Sequence, residues 1–138
     1  MLKGVGKLYR AIYDELEKDD KVSSAKALAD AAYKVGLDFG ENLKEEFQLG
    51  DAIDDVAFAM EIDHKVFGVK AVVAEKSERK IVYHCYQCAW KKYFKPKLCI
   101  AIGQAEKGIA HALNPRAKYH VLQTRTMGKE RCIIAIEI

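Results

Sequence analysis

The hydrophobic pattern changes period near residue 64, and that change restricts the chain more than any other feature. Before it, apolar residues recur at three- and four-residue steps, the spacing of one helical face. After it they alternate, as strands with one buried face require. Helices first, then hairpin, helix and hairpin predict an α+β fold: N-terminal helices packed on a four-stranded antiparallel sheet made of two hairpins joined by a helix.

Leu2, Val5, Leu8, Tyr9, Ile12, Tyr13 and Leu16 make the first helical stripe. Asp19-Asp20 interrupts it, and Ser23-Ser24 offers N-cap oxygens to a second helix. That helix turns Ala25, Leu28, Ala29, Ala32, Val35, Gly36, Phe39 and Leu43 inward. Glycine costs a helix up to about 1 kcal/mol against alanine. Two on one face, Gly36-x-x-x-Gly40, therefore point to a second backbone packed closely there, or else to a kink. Ile53, Val56, Ala57 and Met60 form a short third helix after Gly50-Asp51. Residues 1–62 read as a helical layer and residues 64–138 as the hairpin–helix–hairpin unit of a single domain, 1–138.

In the second half, Phe67, Val69, Ala71 and Val73 alternate along one strand, and Ile81, Tyr83 and Cys85 along its partner, across the polar turn Lys76-Ser77-Glu78-Arg79. Gln87 to Phe94 can be helical. Pro96 precedes a helix from Leu98 to Leu113, which Asn114-Pro115 ends. Tyr119–Thr124 and Arg131–Ile138 form the second hairpin, turning at Met127-Gly128-Lys129.

Lysine plus arginine number 23 against 20 acidic residues, both signs dispersed, so no nucleic-acid partner is expected. No apolar run approaches the ~18 residues of a membrane span, and the N-terminus lacks the features of a signal peptide. A cytoplasmic location with no membrane partner is the expectation. There the four cysteines, at 85, 88, 99 and 132, should be reduced.

Cys85-x-x-Cys88 is the sharpest local signal. Two thiolates so spaced can share one zinc, with Cys99, Cys132 or His84 completing the set. His84 and Cys85 fall on opposite strand faces, which argues against their acting together. The same pair read as a redox dithiol needs Cys85 at a helix N-terminus. Plain burial of small apolar thiols is the third reading. Trp90-Lys91-Lys92-Tyr93-Phe94-Lys95 interleaves basic and aromatic residues, with Trp90 and Phe94 as a buried pair and the lysines in water. Glu41, Glu45, Glu46, Asp51, Asp54 and Asp55 read as a solvated acidic face around a helix break.

The segment Cys99-x-x-x-Gly103-x-x-x-x-Gly108-Ile109-x-x-x-Leu113, followed by a strand and an arm opening Gly128-x-x-x-Cys132-Ile133, resembles the 4-vinyl reductase domain. It is equally similar to the family named for L-2-amino-thiazoline-4-carboxylic acid hydrolase. In both, a hairpin runs into a cysteine-bearing turn, as Val82-Tyr83-His84-Cys85 to Cys88 does here, and Asn114-Pro115 and Arg125 match hydrolase-like positions. The chain departs from the vinyl reductase pattern at Thr124, where cysteine is usual.

The resemblance implies a small-molecule-binding, sensor-like domain, with an apolar pocket between helices and sheet. Its implied lining is Trp90, Phe94, Cys99, His111 and Arg125, with Cys85, Cys88 and Cys132 near one end and a candidate zinc on Cys85, Cys88, Cys99 and Cys132. The alternative is a hydrolase acting on a cyclic C–N bond. Cys99 or Cys132 would be its nucleophile, His111 its base and Arg125 its carboxylate clamp. A homodimer formed through the N-terminal helices is a further candidate arrangement.

Overall fold

A computed structural model describes residues 2–18 and 24–138. Asp19, Asp20 and Ser23, where the sequence marks a helix break and cap, lie outside the described residues. The helices α1 (Leu2–Leu16), α2 (Ser24–Phe47) and α3 (Ile53–Val66) come first. They are followed by β1 (Val69–Lys76), β2 (Lys80–Cys88), α4 (Pro96–Ile102), α5 (Gln104–Leu113), β3 (Lys118–Gln123) and β4 (Cys132–Glu137). None of the described helices is long and apolar enough to cross a membrane.

All strand pairs are antiparallel, and the sheet order is β1-β2-β4-β3. The last strand inserts beside β2, so the two hairpins share one continuous sheet with β1 and β3 at its edges. Period-two alternation holds in β3, whose residues are exposed and half-buried in turn, whereas in β4 Ala135 is buried between Ile134 and Ile136. It fails at Val73 in β1, because a register shift between Val73 and Glu75 leaves that side chain half exposed.

Helices α3 and α5 lie against the sheet, and α2 makes its main contacts with α5 and α4. Val56, Met60, Ile81, Ile109, Leu113 and Ile136 fill the main core between these layers. Tyr13, Trp90, Phe94 and Leu98 fill a second core beneath α1. Burying one such side chain contributes roughly 1.5–3 kcal/mol.

The Gln87–Phe94 segment is not helical. Pairing of Val69 with Cys88 extends β2 to residue 88, and two turns follow, closed by Lys91 N–H donating to Cys88 O and Tyr93 N–H to Trp90 O. Trp90 and Phe94 still meet, with ring centroids 5.3 Å apart. The Leu98–Leu113 helix is two helices, α4 and α5, divided at Gly103. Glycine is the weakest helix former there, so the interruption falls where continuity is least favoured. Pro96 starts α4 without losing a helical hydrogen bond, its missing N–H being one the first turn leaves free in any case.

Candidate functional site

Small residues position the site. Where α2 crosses α5, an added Cβ on Gly36 would overlap the carbonyl of Ala105, and one on Gly108 would overlap the carbonyl of Tyr33. The two backbones are therefore in direct contact, as Gly36-x-x-x-Gly40 indicated. Towards the N-terminal end of α2 a hollow of about 230 Å³ opens. Leu28, Ala31, Ala32 and Val35 of α2 form its roof. Phe67, Val69, Val121 and Ile134 line the sheet side, and Trp90, Phe94, Ile100 and Ile102 one flank.

All four cysteines also line it. Cys85 and Cys132 face each other directly across β2 and β4. Cys99 stands on α4 and Cys88 at the end of β2. Burial pushes the Cys99 thiol up to about 11 and raises Cys85 and Cys132 as well. The Arg125 N–H, which donates to Cys132 Sγ at 3.3 Å, partly opposes that rise at Cys132. Thiols held neutral are poor nucleophiles. Nor do the sulfurs gather: among the described residues no three of them lie within 4.8 Å of one another. Tetrahedral zinc needs sulfurs about 3.8 Å apart. As placed, the sulfurs of Cys85, Cys88, Cys99 and Cys132 would have to draw together to hold a zinc.

His111 and Arg125 are not in the lining. His111 Nε2 lies 2.9 Å from Ala117 O and Nδ1 2.9 Å from Tyr33 Oη. A carbonyl only accepts, so Nε2 carries the proton and Nδ1 accepts from the tyrosine. Both ring nitrogens are engaged in joining α2, α5 and the segment before β3. His84 packs edge-on to Tyr86 on the other sheet face.

The sequence reading missed the polar part of the wall. Asp63, at the end of α3, is buried and lines the hollow, as do Glu106 and Tyr119. The Tyr119 hydroxyl donates to Glu106 Oε2 at 2.8 Å. Burial, reinforced by the Glu106 charge, pushes the Asp63 carboxyl up to about 8. His64 lies beside it, 4% exposed, with its ring edge-on to Tyr83. A signal for these residues exists in the sequence. Asp63 continues the Val56–Met60 stripe, and Glu106 interrupts the stripe Ile102–Ile109–Leu113. A carboxylate on an apolar face is the informative exception.

The sequence matches no protein-family model and no curated protein. Solved structures do share the fold. A trafficking protein particle complex subunit 3 from Naegleria fowleri, covalently bound to palmitic acid, is 15% identical with a TM-score of 0.70. The match covers 98% of this chain and 95% of that one. The phenol-responsive sensory domain of the transcription activator PoxR, with phenol, is 13% identical with a TM-score of 0.67, covering 99% of this chain and 74% of that one. At such identities the likeness is one of fold. The 4-vinyl reductase and hydrolase families remain resemblances of motif.

Proposed function

We propose that the chain is a small-molecule-binding domain of the sensory kind, taking a compact and largely apolar guest beneath α2. The observation that carries this reading is the hollow of about 230 Å³ with its apolar, thiol and aromatic wall. A dry apolar cavity of roughly 150 Å³ holds a benzene ring, so there is room here for one substituted ring or a short branched chain. Trp90 Nε1 is buried in that wall without a hydrogen-bond partner. A guest bearing one acceptor oxygen would satisfy it. Palmitic acid and phenol, bound by the two structural neighbours, are both apolar bodies with one polar end.

The hydrolase alternative draws less support, since only Cys99 and Cys132 of its cast stand at the hollow. Pairing of two copies is part of the sensor reading. Leu8 and Ile12 on α1, 60% and 40% exposed, are the surface we assign to that pairing.

The chain's one tryptophan lies in the wall, so its fluorescence reads occupancy directly. Titration with phenol and with a series of fatty acids of increasing length should give a saturable change at one guest per chain. No saturable change with any of these probes would refute the reading.

A further inference from the structure

Apolar guests leave one part of the wall unexplained. Asp63 and His64 occupy the last turn of α3, and Glu106 the first turn of α5. A carboxylate oxygen from each acid and a ring nitrogen of His64 all lie within 4.8 Å of one another. His64 Nε2 is buried with no hydrogen-bond partner. It stands 3.8 Å from Glu106 Oε1, too far for a hydrogen bond. Two donors on one ion, each about 2.1 Å from it, sit roughly 3–3.5 Å apart, so a small adjustment would bring both onto a shared cation. The second oxygen of Glu106 is fixed by the Tyr119 hydroxyl, the kind of outer contact that orients a ligating carboxylate. Among the described residues no lysine or arginine forms an ion pair with Asp63 or Glu106. The last turn of α3 adds the partial negative charge of its free carbonyls.

We propose that Asp63, His64 and Glu106 bind a divalent first-row transition ion, of which zinc is the first to try. One imidazole and two carboxylates suit zinc, manganese or ferrous iron, whereas calcium prefers an all-oxygen set. Three protein ligands leave a coordination position open. Asp63 and Glu106 line the hollow, so an ion they held would border the space of the guest. The ion would give an otherwise apolar chamber a point of attachment for an oxygen or nitrogen of the ligand. None of its donors is a thiol.

Cobalt(II) is the spectroscopic probe, used with the full chain. One cobalt per chain is expected, with visible ligand-field absorption and no sulfur-to-cobalt charge-transfer band, because every donor is nitrogen or oxygen. Glu106→Gln, which keeps the side chain's shape, and His64→Ala should each abolish uptake. Tyr119→Phe should weaken it roughly tenfold, and Cys132→Ser should leave it unchanged. Zinc should displace the cobalt and erase the spectrum. The inference is overturned by absence of stoichiometric uptake, by a sulfur charge-transfer band that disappears in Cys132→Ser, or by uptake that survives Glu106→Gln in a variant whose circular dichroism is native. Phenol titration of the chelator-treated protein keeps the two proposals apart. Guest binding without cobalt uptake defeats the metal site alone, and cobalt uptake without guest binding defeats the sensor alone.

Discussion

Cys99 shows how strongly its surroundings decide what a side chain can do. The hydrolase resemblance made it a candidate nucleophile, yet α4 turns it into the apolar hollow, where burial holds its proton up to about pH 11. An exposed thiol ionises near 8.5. Alkylation of Cys99 by iodoacetamide, followed by peptide mass spectrometry, should therefore be slow at pH 8 and rise about tenfold per pH unit towards 11. A profile that levels off near 8.5 would show an ordinary exposed thiol instead. The sign for stability follows. Because the folded value exceeds the unfolded one, the contribution of this thiol is fully present below about pH 8.5 and is lost as pH climbs through 11.

The crossing of α2 and α5 is the element-scale feature on which the site depends. Gly36→Ala would drive a methyl group into the Ala105 carbonyl, a backbone atom that cannot rotate away. Overpacking of this kind costs typically 1–3 kcal/mol and occasionally more. About 3 kcal/mol is expected here, read as a lower urea midpoint at unchanged slope. Gly4, with nothing near its would-be Cβ, is the control: Gly4→Ala should leave the midpoint unchanged or slightly higher.

This crossing was readable in advance because two glycines on one helical face have few other uses. The three N-terminal helices and both hairpins were readable too, since each carries a long and consistent period. Residues 87–94 were not, because Trp90 and Phe94 have helical spacing but reach the same core from successive turns. His111 could be placed on its helix, but the hydrogen bonds that occupy both its nitrogens join residues 78 and 6 positions away. Asp63 and Glu106 meet only through the packing of α3 on α5, a contact that no local pattern encodes. The acidic residues that local density did single out, Glu41, Glu45, Glu46, Asp51 and Asp54, are exposed.

For the whole molecule, the hollow is space that the chain leaves unfilled rather than a flaw of one residue. Ala32→Phe should occupy it from the α2 side, removing the phenol-induced change in Trp90 fluorescence while the protein stays folded, because the added ring replaces the guest it excludes. Retained phenol binding in that variant would place the guest elsewhere.

The contact of Gly36 and Gly40 with α5 also has a mechanical side. It clamps the C-terminal half of α2, while the half that carries Leu28, Ala31 and Ala32 is packed on α4 and the second core and borders the hollow. A rod gripped at one end swings most at the other. The girth of a guest therefore bears first on the N-terminal half of α2, the part that borders the hollow.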